Sequence, residues 1–160
     1  MKPTETPKVM TLTSQSFNPG QTLRRTYTAD GADVSPALQW QLESADTKSF
    51  AIILRDVDAP GGTFIHWLVY NIPGFASGVP EGLPRQEKLS DGSIQGMNDY
   101  HVTGYNGPKP PPGTTHKYHF ELYALDAMLP VEVGVTAPRL LELMNGHIIA
   151  TAKLMGTYRR

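Results

Sequence analysis

The chain has 160 residues and a formal net charge of −1, from 14 basic and 15 acidic residues. This length favours one domain, spanning residues 1–160, and the absence of a basic block argues against a nucleic-acid-binding surface. Because the sequence contains no cysteine, disulfides, cysteine-ligated zinc, iron–sulfur clusters and thiol catalysis are excluded.

The N-terminal segment MKPTETPKVM lacks the apolar stretch of a secretory signal. The longest apolar run, Phe50 to Leu54, is far shorter than the roughly 20 residues of a membrane-spanning helix. We therefore expect a cytoplasmic protein without integral membrane contact.

Short strands separated by turn residues dominate the predicted secondary structure. In chain order, the predicted strands are Val9–Phe17, Leu23–Thr28, Leu38–Leu42, Phe50–Arg55, Phe64–Tyr70, Tyr118–Ala124 and Ile148–Tyr158. The almost wholly apolar Phe50–Arg55 segment suits a central strand that is covered on both faces.

One helix has clear boundaries in the sequence. Thr136 is a suitable N-cap, Pro138 fits the first turn, and Asn145-Gly146 supplies a left-handed stop. The apolar stripe between these ends, from Leu140 to Met144, is best explained by core packing. Together the elements predict a mainly β fold, an antiparallel β-sandwich of two sheets with a few short helices.

Two polar residues lie on predicted buried strands. Asp56 ends the apolar strand on the same side as its inward residues, where a carboxylate is costly unless it is paired. His66 shares a face with Phe64 and Leu68, and a lone histidine in such a place is usually a core residue. A short connection joins the two strands, so Asp56 could hold one ring nitrogen of His66 and leave the other for a ligand.

A stiff loop precedes the strand that begins at Tyr118. Four prolines between Gly107 and Gly113 fix the backbone, and a loop of this kind loses little entropy when a ligand binds. His116 follows two residues before Tyr118, so an extended backbone points both side chains the same way. Two imidazoles, a phenol and glycine N–H groups suit a small anion.

These segments resemble the phosphatidylethanolamine-binding protein family, in particular its prokaryotic Raf-kinase-inhibitor-like branch. The resemblance rests on five stretches of the sequence: DVSPALQW from Asp33, DVDAP from Asp56, FIHWLVYNIP from Phe64, GPKPPPGTTHKYHFELYALD from Gly107, and the C-terminal segment 146–158. It implies a β-sandwich with a small pocket for phosphate-type groups, such as a phospholipid headgroup or a phosphorylated residue, and it calls for no cofactor.

The residues that the resemblance implies for ligand binding are Asp56, Pro60, His66, Gly107, Pro111, His116 and Tyr118. Lys117 stands where the family more often has arginine, which keeps the charge but weakens bidentate recognition of an oxyanion. The resemblance also implies a protein partner, a kinase or a protease, and prokaryotic relatives suggest a homodimer.

We therefore expect a non-enzymatic binding or regulatory protein with a kinase- or protease-inhibitor-like role. The alternative is a mononuclear metalloenzyme, since two histidines and one carboxylate can hold non-haem iron. A hydrolase is a further alternative, although the sequence has no Gly-x-Ser-x-Gly motif.

Overall fold

The computed structural model describes residues 8–42 and 44–160. Within these ranges the chain forms nine β-strands and one α-helix. They are β1 (Lys8–Val9), β2 (Thr11–Thr13), β3 (Leu38–Gln41), β4 (Ser49–Asp56), β5 (Phe64–Pro73), β6 (Gly78–Val79), β7 (Ile94–Gln95), β8 (Thr115–Leu125), α1 (Ala137–Met144) and β9 (Ile148–Arg159).

The strands form two sheets. The larger has the order β1-β9-β8-β4-β5-β7, and the smaller has the order β2-β3-β6. All pairs are antiparallel except the short parallel pair of β1 with β9. The mainly β, two-sheet architecture that the sequence predicts is thereby confirmed.

Strand β4 lies at the centre of the large sheet and is buried on both faces. Alternate residues such as Ile52 and Leu54 join the core between the sheets, together with Trp40 of the small sheet. Ala51 and Ile53 belong to a second core on the opposite face, which α1 covers. The apolar run in β4 thus reflects two-sided burial, as predicted.

Two local predictions fail. Leu23–Thr28 is not a strand, because Arg25–Tyr27 form a single 3₁₀ turn in which the Thr28 amide donates to the Arg25 carbonyl. The predicted strand Val9–Phe17 divides at Met10, so that β1 joins the large sheet and β2 the small one.

The helix has nearly the predicted bounds, although the side chain of Thr136 makes no capping hydrogen bond. Gly146, with φ of 82°, provides the left-handed stop. No helix in the described part of the chain is long and apolar enough to cross a membrane.

Candidate ligand-binding site

Three neighbouring strands of the large sheet, β8, β4 and β5, bring polar residues together at one end of the sheet. Asp56, the last residue of β4, pairs in register with Phe64 on β5 and with Tyr118 on β8. All three side chains share the sheet face that packs against the small sheet, because cross-strand partners point the same way. Asp56 is only 4% exposed, so its carboxylate needs hydrogen-bond donors from the protein.

Those donors come from β8 and from the turn after β4. The Nδ1 atom of His116 lies 2.7 Å from Oδ2 of Asp56, and the Asp58 amide donates to Oδ1 over 2.9 Å. The prediction that Asp56 holds a ring nitrogen of His66 is therefore wrong. His116 bonds to Asp56 instead, because it lies two residues before Tyr118 on the same face of β8 and is a diagonal neighbour of the carboxylate.

His66 occupies a β-bulge. Leu54 pairs with Trp67 and Arg55 with Ile65, which leaves His66 as the extra residue of β5. A bulge redirects a side chain at a strand end. The ring of His66 consequently lies 4.9 Å from that of Phe64 and 5.6 Å from that of Tyr118, as centroid distances. The predicted shared face with Leu68 is wrong, since Leu68 packs in the opposite core.

A backbone carbonyl orients the ring of His66. Its Nδ1 lies 2.7 Å from the carbonyl oxygen of Asn106, and the Asn106 amide donates to the His66 carbonyl over 3.1 Å. Because a carbonyl can only accept, Nδ1 carries a hydrogen. Burial lowers the pKa of His66, while the hydrogen bond to Asn106 and the nearby carboxylates partly oppose that shift.

Tyr118 lies between the two histidines. Its ring stacks at 6.4 Å on that of His116 and meets that of His66 edge-on. Its hydroxyl is buried and makes no hydrogen bond of ordinary geometry with any residue in 8–42 or 44–160. Burial, followed by the charge of Asp56 and a hydrogen-bonding contact with that carboxylate, raises the pKa of Tyr118 well above its usual range, so the hydroxyl keeps its proton.

A loop from Asn98 to Gly107 borders the site. The amide of Asp99 donates to the Ile65 carbonyl over 2.9 Å, and its carboxylate accepts from the Ile65 amide over 2.7 Å. Tyr100 then packs its ring 5.8 Å from that of His66. The loop is thus fastened to β5 at the residue before the bulge.

Gly107 is buried where the chain leaves no room for a side chain. Its amide donates to Oδ1 of Asp33 over 2.7 Å, and an added Cβ would overlap the carbonyl oxygen of Tyr27. Asp33, with φ of 58°, also accepts at its carbonyl from Arg85 over 2.6 Å. The hydrogen bond from the Gly107 amide to Asp33 fixes the backbone next to the Asn106 carbonyl.

The structure brings together Asp56, His66, His116 and Tyr118, whereas Gly107 lies in the surrounding loop. Pro60 and Pro111 are exposed, and no hydrogen bond or ring contact of the cluster involves either side chain. Lys117 is exposed between two buried residues of β8 and faces away from the cluster.

The geometry does not support the alternative of a metal centre with two histidines and one carboxylate. One carboxylate oxygen of Asp56 already accepts from His116. No group of three or more potential metal ligands occurs in the part of the chain that the structure describes.

Sequence reasoning missed Asp33, Tyr100 and Asn106. The Asn106-Gly107 dipeptide is a turn signal and could have marked a carbonyl held in a fixed direction. Nothing in the local pattern indicates that Asp33 reaches Gly107, because 74 positions separate them.

Comparison with known proteins agrees with this architecture. The sequence model of the family described as "Phosphatidylethanolamine-binding protein" matches residues 13–159. A UPF0098 protein of Methanothermobacter thermautotrophicus is 44% identical over 151 residues, which cover 94% of this chain and 99% of that protein.

Two solved structures are also similar. A phosphatidylethanolamine-binding protein homologue from Chlamydia trachomatis has a TM-score of 0.86 at 40% identity, covering 96% of this chain and 99% of the other. YbcL of E. coli, described as a new member of the mammalian family, has a TM-score of 0.87 at 32% identity, covering 94% and 98%. The chain therefore belongs to the phosphatidylethanolamine-binding protein family.

Proposed function

We propose that this protein is a non-enzymatic binding protein whose cluster of Asp56, His66, His116 and Tyr118 holds the phosphate-type group of a small ligand or of a phosphorylated partner. The ligand's oxygen atoms would meet the two imidazoles and the phenol. A phosphate group suits such a site because it offers several hydrogen-bond acceptors around one small centre.

The observation that carries this proposal is the buried hydroxyl of Tyr118, whose contact with the Asp56 carboxylate lacks the geometry of an ordinary hydrogen bond. Buried polar groups almost always have hydrogen-bond partners, and an exception calls for an explanation such as a bound ion or ligand. The two neighbouring histidines use Nδ1 for Asp56 and Asn106, and their Nε2 atoms bond to no described residue. Three polar groups are thus left for one ligand.

The absence of a paired hydroxyl nucleophile in the described residues supports binding rather than hydrolysis. A serine or threonine nucleophile is activated by a hydrogen bond to an adjacent base. Among the described residues, neither His66 nor His116 bonds to a serine or threonine hydroxyl; their Nδ1 atoms bond to the Asn106 carbonyl and the Asp56 carboxylate. A regulatory role toward a kinase or a protease, pairing with a second copy and a cytoplasmic location remain predictions from the sequence.

Titration calorimetry with inorganic phosphate and with phosphoethanolamine tests the proposal. His116→Asn keeps an N–H donor near the position of Nδ1 for Asp56 but removes the second ring nitrogen, and we expect about 10- to 100-fold weaker binding, the worth of a hydrogen bond to a charged group. His147→Asn is the control, because Nδ1 of His147 bonds to Asp126 at the far end of β8. Absence of binding to wild-type protein, or equal binding by both variants, would refute the proposal.

A further inference from the structure

The sequence contains two Asn-Gly dipeptides, and the fold restrains them very differently. Asn106-Gly107 lies in the loop beside the candidate site, whereas Asn145-Gly146 joins the end of α1 to the start of β9. In an Asn-Gly pair the glycine amide nitrogen can attack the asparagine side chain, because glycine has no Cβ to block the approach and its backbone rotates freely. In a folded protein the attack requires that the local backbone can move.

Hydrogen bonds hold the Asn106-Gly107 pair on both sides of its peptide bond. The Gly107 amide donates to Oδ1 of Asp33 over 2.7 Å, and Oδ1 of Asn106 accepts from Asn98 over 2.7 Å. The Asn106 carbonyl oxygen also lies 2.7 Å from Nδ1 of His66. Gly107 is buried against a backbone carbonyl, so the peptide between the two residues has no room to rotate.

The Asn145-Gly146 pair lacks these restraints. Both residues are exposed, and the Gly146 amide donates to no residue in the described part of the chain. Apart from its chain neighbours, no described atom lies within 4 Å of the position that a Cβ would take on Gly146, whose φ is 82°. The peptide between the two residues is therefore free to turn, and the glycine can absorb the change in backbone direction.

We propose that Asn145 is a site of spontaneous deamidation in the folded protein, whereas Asn106 is protected. The Gly146 nitrogen forms a bond to Cγ of Asn145, and the side-chain nitrogen leaves as ammonia with the proton of the Gly146 amide. Water then opens the resulting succinimide ring at either of its two carbonyls, which gives aspartate or isoaspartate. This inference goes beyond the proposed function and does not depend on it.

The conversion should loosen the joint between α1 and β9. Isoaspartate adds one carbon to the backbone there, and either product places a carboxylate at the C-terminal end of the helix, where negative charge is unfavourable. Two hydrogen bonds close the joint. The His147 amide donates to the Met144 carbonyl over 2.9 Å, and the Asp126 amide donates to the His147 carbonyl over 3.0 Å. We expect both to open more often in the converted protein.

Peptide mapping by mass spectrometry tests the site on the wild-type protein, kept at pH 8 either in native buffer or in urea that unfolds it. Trypsin releases the two dipeptides in separate fragments, 140–153 and 89–117. In urea we expect similar conversion of both. In native buffer Asn145 should convert at least about tenfold faster than Asn106, which must first lose its hydrogen bonds. Equal native rates, or intact Asn145 when the unfolded chain has converted, would overturn the inference.

A second measurement follows the joint itself. Asn145→Gln is the matched variant, because it keeps the amide but would have to close a larger ring, which forms far more slowly. After the same incubation, hydrogen exchange at the amides of Asp126 and His147 should be faster in the wild type than in the variant, while amides in the centre of β4 exchange equally in both. Equal exchange at the joint in a fully converted wild type would refute the predicted loosening.

Discussion

Replacing Tyr118 by phenylalanine separates the stability of the fold from the function of the site. The hydroxyl is buried, and its contact with the Asp56 carboxylate lacks the geometry of an ordinary hydrogen bond. An unpaired buried hydroxyl costs about 1–3 kcal/mol in proteins. Removing it should therefore stabilise the ligand-free protein by about 1 kcal/mol, the low end of that range, which raises Tm by about 2–4 °C for a chain of this size.

Tyr105→Phe is the matched control. Tyr105 is also a buried phenol, but its hydroxyl donates to the Tyr27 carbonyl over 2.6 Å. Its removal should destabilise the protein by about 0.5–1.5 kcal/mol, the usual net worth of a hydrogen bond. The two substitutions delete the same atom, so opposite signs would separate a well-formed hydrogen bond, at Tyr105, from a poorly formed one, at Tyr118.

The assay is urea and thermal unfolding, followed by circular dichroism, in a buffer free of phosphate, sulfate and carboxylates. Phosphate is then added, which should stabilise the wild type by about 2.7 kcal/mol at 100 times its Kd. Tyr118→Phe should gain less from the same concentration, so the order of stabilities reverses. If Tyr118→Phe destabilises the free protein as much as Tyr105→Phe does, the hydroxyl has a partner and the reasoning fails.

Three further substitutions test the frame of the site. His66→Gln should flatten the pH dependence of stability. The lowered pKa of His66 contributes stability that is complete above about pH 6.5 and is lost as pH falls, by at most about 1.4 kcal/mol per pH unit. Urea unfolding at pH 5 and pH 7.5 checks this against the exposed control His101→Asn, and an equal change of unfolding free energy with pH in the two variants would contradict it. Asp56→Asn should cost about 1–3 kcal/mol in unfolding free energy, since one of two donors loses its acceptor; an unchanged urea midpoint would refute that pairing. Gly107→Ala should cost about 1–3 kcal/mol through overlap with a backbone carbonyl, whereas Gly61→Ala, at an open position, should be neutral in the same assay.

The residues that form the cluster could be predicted from the sequence, but the hydrogen bonds between them could not. The alternation along β8 correctly predicted that His116 and Tyr118 point the same way. The partner of Asp56 could not be read from the sequence, because the bulge at His66 changes the register of β5 by one residue. A one-residue shift moves a side chain to the other face, and alternation alone does not reveal where a shift occurs.

The loop contacts were out of reach for a different reason. Asp33 and Asn106 act through hydrogen bonds to groups far along the chain: Asp33 accepts from the Gly107 amide, and the Asn106 carbonyl accepts from the His66 ring. Such contacts leave no periodic pattern, since they depend on the packed positions of irregular segments. The predicted site therefore contained the four clustered side chains but lacked the groups that orient them.

Different parts of the chain orient the two chemically identical imidazoles of the cluster. The Asn106 carbonyl accepts from Nδ1 of His66, whereas the Asp56 carboxylate accepts from Nδ1 of His116. In both rings Nδ1 is thereby engaged and the direction of the ring is fixed. The proposed binding of an oxyanion therefore depends on the Asn98–Gly107 loop and the end of β4 as well as on the imidazoles themselves.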